Sequence, residues 1–237
     1  MDSTKKTARI AGLLYLLLAI TGAYSIIYIP SKIIVPGDVA ATANKILANE
    51  FLFRTGIISD LISNTIFVVL VLVLYRLFRQ VNTNNAKLMV ALVIVQIPLV
   101  FISEAFNIAA LMLFKGEIMK TFELSQRQDL AMLFLSINSY GTIAIEMFWG
   151  LWLLPFGLLV YKSGFIPRVF GYLLIIGGAA YIIESLTHIL LPDYSAFVSQ
   201  FTIVLYTIGE LSIIFWLLIK GVKTQASTQD DSQPISK

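Results

Sequence analysis

The chain has no cysteine and a single histidine, His188, among its 237 residues. It therefore cannot build a disulfide frame, a thiolate metal site, a cysteine nucleophile or a multi-histidine zinc centre. Charge is scarce too. Asp, Glu, Lys and Arg together make up 13% of the chain, where an ordinary globular domain carries about 25%. With 58% hydrophobic residues and a mean hydropathy of +0.85, there is too little polar side chain to cover a surface facing water. That composition also excludes disordered, collagen-like and coiled-coil architectures. The chain carries no G-x-S-x-G elbow, H-E-x-x-H helix or glycine-rich phosphate loop, so neither a cofactor nor a metal is called for. The net charge of +3 does not indicate a nucleic-acid partner, because no basic cluster is interleaved with aromatics.

Long apolar runs take the place of these features. A helix needs about 20 apolar residues to cross about 30 Å of hydrocarbon, and six stretches qualify. They run from about Ile10 to Ile29 (stopping at Pro30), Phe51 to Phe78, Leu88 to Phe114, Leu130 to Tyr161, Val169 to Leu191 and Phe197 to Ile219. The runs do not alternate as barrel strands do, and backbone in lipid must bond within its own segment. The expected fold is all-α, a polytopic membrane protein whose partner is the lipid bilayer, with six transmembrane helices. The first run is too long and lacks the cleavage pattern of a signal peptide, so it counts as a span.

Eleven of the 17 Lys and Arg residues fall at the two ends of the chain and in the second-to-third and fourth-to-fifth connections. The positive-inside rule places that side, with both termini, in the cytoplasm, and the bundle in the inner cell membrane. On the other side Asp38 is placed to cap a short amphipathic helix with Val39, Ala43, Ile46 and Leu47 on one face. Ser125 and Gln128 fit a capping box for the fourth helix. That helix is long enough to project, tilt or bend near Pro155. Residues 1–223 read as one six-helix domain and 224–237 as a disordered cytoplasmic tail.

Five acids fall inside the spans: Asp60, Glu104, Glu146, Glu184 and Glu210. An Asp at a helix centre costs about 2.5 to 3.5 kcal/mol on insertion, so these groups are expected to face the bundle interior. Helical spacing gives each host helix a polar stripe: Asp60 with Asn64; Gln96, Ser103 and Asn107 beside Glu104; Asn138, Thr142 and Glu146; Tyr181, Glu184 and His188; Thr202, Tyr206 and Glu210. Topology sets Glu104, Glu184 and His188 in the outer half and Asp60, Glu146 and Glu210 nearer the middle. Arg54 is either a cation partner for an acid or an anchor for the outer end of its helix. The candidate ligand-binding residues are Arg54, Asp60, Asn64, Glu146, Glu184, His188 and Glu210. Trp149, Trp152 and Trp216 read as packing or interfacial residues.

Several stretches carry a resemblance. They are Arg9-Ile-Ala-Gly-Leu-Leu-Tyr15, Gly37-Asp-Val-Ala-Ala-Thr-Ala-Asn44, Phe51-Leu-Phe-Arg-Thr-Gly-Ile-Ile-Ser-Asp60, Glu146-Met-Phe-Trp-Gly-Leu-Trp-Leu-Leu-Pro-Phe-Gly157, Tyr161-Lys-Ser-Gly-Phe-Ile-Pro-Arg168 and Gly209-Glu-Leu211. Together, over Arg9 to Val222, the chain resembles the bacterial integral-membrane family catalogued as domain of unknown function 4386. The resemblance implies six helices in a bacterial membrane and assigns no activity. Its motifs include Arg54, Asp60, Glu146 and Glu210.

The functional reading that follows is a carrier or binding bundle for a small solute, an ion or a proton, with buried carboxylates at its centre. Six helices are few for a monomeric carrier, which makes a homodimer a corollary. The alternatives are a sensor or accessory protein for another membrane protein, and an intramembrane enzyme acting on a lipid.

Overall fold

A computed structural model describes residues 3–222; the tail expected over 224–237 lies outside the described residues. The elements are α1 (Ser3–Ala23), a π-helical turn (Tyr24–Tyr28), α2 (Ile29–Ile33), α3 (Val39–Ala48), α4 (Glu50–Phe78), α5 (Thr83–Lys115), α6 (Leu124–Ser163), α7 (Arg168–Leu190) and α8 (Pro192–Ile219). No strand occurs among the described residues. Six helical segments are long and apolar enough to cross a membrane: α1 continued through α2, and α4 to α8. Their outward faces carry Leu13, Ile58, Leu72, Ile102, Ile176 and Phe215, all exposed. A continuous apolar exterior of this kind suits hydrocarbon and not water.

The first span does not stop at Pro30. Proline lacks an N–H, and its ring strikes the carbonyl four residues back, which ordinarily breaks a helix. Here the π turn lies immediately ahead of it: Ile29 N–H bonds to Tyr24 O, five residues back. The wider turn shifts the carbonyls that Pro30 would meet. The helix then continues to Ile33 and ends where Ile34 becomes extended.

The six long segments form a ring in chain order. α1 packs on α4, α4 on α5, and so on to α8, which closes on α1. Neighbours are antiparallel, so both ends of the described chain lie on one face, where Arg9 Nη2 donates to Ile219 O at 3.2 Å. On this terminus-side half the ring collapses onto an aromatic core. Trp152 stacks on Phe156 at 5.4 Å and meets Phe67 edge-on at 4.9 Å, while Tyr15 closes on Trp152 from α1. At the opposite end α3 lies across α4, α5 and α6 as a lid.

Asp38 caps α3, accepting from Ala41 N–H at 2.8 Å. The buried face of α3 is Thr42, Ala43 and Ile46; Leu47 is exposed, and Val39 only half-buried, so the expected apolar face is rotated toward Thr42. Thr42 fits there because its hydroxyl bonds back to Val35. The capping box of α6 also differs from the expected pair. Glu123 N–H donates to Gln126 Oε1 at 3.0 Å, two residues ahead of the Ser125–Gln128 register, because the helix already begins at Leu124. α6 has 40 residues and passes Pro155 without interruption. At about 1.5 Å per residue it is about 60 Å long, so it projects well beyond a hydrocarbon layer of about 30 Å.

The α6–α7 seam is the closest approach in the molecule to rest on glycine. Gly150 faces Gly178, and Gly157 faces Gly171; the two glycines on each helix are seven residues apart, two turns, and pair antiparallel. A Cβ on Gly178 would lie 2.7 Å from Gly150 O, and one on Gly171 would lie 2.7 Å from Gly157 O. Small residues allow backbone contact that the neighbouring Leu and Ile would prevent. Ser185 Oγ donates to Ile143 O at 2.8 Å farther along the same seam.

Candidate functional site

Between the aromatic core and the α3 lid the ring encloses a cavity of about 540 Å³. Its walls are drawn from five spans. Ser25, Ile29 and Pro30 come from the π turn and α2, and Phe53, Asp60 and Asn64 from α4. Ser103, Glu104 and Asn107 come from α5; Asn138, Thr142, Glu146 and Trp149 from α6; and His188 from the end of α7. The i, i+4 spacing that put Asn138, Thr142 and Glu146 on one stripe is the reason one helix supplies so much of the wall.

Each polar group is held in place differently. The carboxyls of Asp60 and Glu104 face each other across the α4–α5 seam. Asn64 Nδ2 donates to Asp60 Oδ1 at 3.3 Å, and Asn107 Nδ2 donates to Glu104 Oε2 at 3.0 Å. Asn138 Nδ2 reaches Ser103 O at 3.0 Å and Oγ at 3.2 Å, fixing α6 to α5 in the wall. Glu146 is the exception: its Oε2 is buried with no hydrogen-bond partner among the described residues. His188 Nδ1 sits 3.1 Å from Glu184 O; a carbonyl only accepts, so Nδ1 carries the proton in that bond. Among the described residues no Lys or Arg lines the cavity. Nor do three or more His, Asp or Glu side chains among them converge in a way that would hold a metal ion.

The five acids do not share one centre. Asp60, Glu104 and Glu146 line the cavity; Glu184 and Glu210 do not. Glu184 is buried behind the wall, where Thr202 Oγ1 donates to its Oε2 at 2.8 Å. Glu210 accepts from Tyr15 OH at 2.6 Å and from Tyr181 OH at 2.9 Å, one on each oxygen. Tyr181 stacks on Tyr206 at 3.9 Å and meets Trp149 edge-on at 5.9 Å, which screens Glu210 from the cavity. For Glu210 the physical reason is helix order, since α8 packs between α7 and α1 and forms no wall of the cavity; Glu184, on α7, is turned toward Thr202 of α8 instead.

Arg54 also lies outside. Its guanidinium is half-exposed and pairs with Glu50 at 2.7 Å, and Lys115 joins the same carboxylate at 3.2 Å. It is an anchor of the α4 end and not a partner of a buried acid. Of the candidate residues, then, Asp60, Asn64, Glu146 and His188 come together, whereas Arg54, Glu184 and Glu210 stand apart. The candidate set omitted Glu104, Asn107, Asn138 and Trp149. The Glu104–Asn107 spacing of three and the Glu146–Trp149 spacing of three were the signals that could have added three of them.

A closed ring of apolar helices around an acid-lined cavity defines a polytopic helical bundle with a buried polar site. The chain belongs to the family described as "Domain of unknown function (DUF4386)", which matches residues 10–221. It is 31% identical over 150 residues to an uncharacterized protein of Archaeoglobus fulgidus, a stretch covering 63% of this chain and 74% of that protein. No solved structure matches the chain.

Proposed function

We propose that the protein is a binding or carrier bundle of the cell membrane for a small solute, an ion or a proton, with the cavity as its site. The observation that carries this reading is a cavity of about 540 Å³ set deep in an apolar bundle, with three carboxyls and no Lys or Arg among the described residues of its wall. Carboxyls in low dielectric are expensive. Polar glue between helices contributes typically about 0.6 kcal/mol and is supplied as well by amides. A space that neighbouring Leu or Ile side chains would readily fill is kept open and acidic instead, as a solute site requires.

The basic residues orient the bundle: both termini are cytoplasmic, and the cavity lies in the opposite, outer half beneath α3. In that orientation the aromatic core around Trp152 closes the cytoplasmic end, and α3 lies over the outer one. A homodimer remains the corollary, to be checked by crosslinking in native membranes.

The absence of cysteine makes the test direct. Ser136, half-buried on the cavity wall, is replaced by Cys in the otherwise cysteine-free chain. A membrane-impermeant thiol reagent added to intact cells labels Ser136→Cys, and labelling from the cytoplasmic face of inverted vesicles is slow. Reagent that reaches the thiol from neither face refutes a water-filled solute site. In proteoliposomes, Asp60→Asn and Glu146→Gln are each expected to lower solute or proton flux, and unchanged flux would reject carrier function.

A further inference from the structure

We infer that the solute is an organic cation, an ammonium group on an apolar body, with the ammonium seated at Glu146. The inference rests on the reading that the cavity is a solute site, and names its substrate class.

Four observations converge. The first is charge: Asp60, Glu104 and Glu146 line the space without a Lys or Arg among the described residues there. An anion would meet three acids against the single histidine His188, whereas a cation supplies the sign the wall lacks. The second is size. A cavity of about 540 Å³ lies in the range of about 300 to 1,000 Å³ typical of drug-sized ligands, whereas one water occupies about 30 Å³. A lone inorganic cation would leave most of the space empty, and the acids do not converge as a metal-ligand set. The third is an orphan: Glu146 Oε2 is buried and accepts no hydrogen bond, while Asp60 and Glu104 already accept from Asn64 and Asn107. An ammonium N–H is the donor that this oxygen lacks, and a turn of the carboxyl about its last bond brings Oε2 to the cavity to receive it. The fourth is the wall. Around the acids stand Ile29, Phe53, Ile57, Val100 and Leu135, and Trp149 follows Glu146 by about one helical turn. An indole at that spacing presents a ring to a cation or to an apolar body bound at Glu146.

The probe is phenethylammonium, titrated calorimetrically into the full chain in nanodiscs, beside its uncharged isostere 2-phenylethanol, the anion phenylacetate, and sodium chloride alone. Phenethylammonium is expected to bind at least about tenfold more tightly than the alcohol, the advantage of one charged hydrogen bond. It is also expected to protect Ser136→Cys from thiol reagent. Glu146→Gln erases the preference for the cation over the alcohol. Glu50→Gln, which removes a carboxylate that pairs with Arg54 and lies outside the wall, leaves the preference intact. Should Glu146→Gln not fold, the preference among the probes on the unaltered chain stands independently of the variant.

Equal or tighter binding of the alcohol or of phenylacetate overturns the cationic class while leaving the solute site standing. Sodium binding alone overturns the organic part. Labelling of Ser136→Cys with no probe bound overturns the inference but not the cavity. No binding together with an unreactive thiol removes the solute site itself.

Discussion

The glycine seam between α6 and α7 makes a sharp quantitative prediction. In Gly178→Ala the new methyl carbon would stand 2.7 Å from Gly150 O and 3.1 Å from Leu153 Cβ. Ordinary close C···O contacts are about 3.3 Å, so the helices must part by roughly 0.6 Å or bend. Forcing a methyl into a close-packed contact costs about 1 to 3 kcal/mol. Alanine's helix propensity returns at most about 1 kcal/mol. For a domain of this size each kcal/mol of net loss lowers Tm by about 2 to 4 °C. Gly22→Ala is the matched control, since its methyl would meet only Ser63 Oγ, at 3.4 Å, an ordinary contact. Both variants are melted in the same detergent, with tryptophan fluorescence as the readout. Trp149, edge-on to Tyr181 across this seam, reports the α6–α7 distance directly. Gly178→Ala melting at or above the parent, or no lower than Gly22→Ala, would refute the reasoning that backbone contact at this seam holds α6 to α7.

Further outcomes follow from other contacts. Tyr181→Phe removes one of the two donors to Glu210 and is expected to lower stability by about 1 to 3 kcal/mol, read by unfolding in detergent mixtures; Tyr181→Phe on a Tyr15→Phe background costs more than the sum of the two single changes, because the carboxyl then has no donor. Thr202→Val strips Glu184 Oε2 of its hydroxyl at nearly constant volume and lowers stability by about 1 to 2 kcal/mol, whereas Thr202→Ser retains the bond. Asp38→Ala removes the α3 cap at a local cost of about 0.5 to 2 kcal/mol, seen as faster amide exchange within Val39–Ala48 and little change elsewhere. Glu50→Gln breaks the exposed Arg54 and Lys115 pairs, and its small effect on melting shrinks further as salt is raised.

The spans were legible because a hydrophobic run is a property of the chain itself. Their ends were less so. Pro30 reads as a stop wherever a helix keeps the α repeat, and only the π turn ahead of it, a matter of backbone geometry, lets the helix continue. Polar stripes were legible helix by helix, since spacing fixes which residues share a face. Whether two stripes meet depends on how each helix is rotated in the ring, which spacing does not encode. Asp60 and Glu146 meet at one cavity, whereas Glu210 turns to Tyr15, a partner 195 residues away in sequence. Glu104, in the outer half by residue count, is only 6% exposed because it faces Asp60 across the α4–α5 seam and Asn107 on its own helix, contacts that depth in the span does not encode. The Glu50–Arg54 pair, by contrast, was present in the sequence as an i, i+4 spacing.

The two facing carboxyls lie on opposite sides of a boundary in the ring. Asp60 belongs to the α1–α4 limb, and Glu104 to the body formed by α5 through α8, whose internal seams are the more extensive. Were both carboxyls ionised, their like charges would push limb from body; a single proton held between them draws the two together. Were a cation to bind in the cavity as proposed, its charge would act across that boundary, on the seam where limb and body oppose carboxyl to carboxyl.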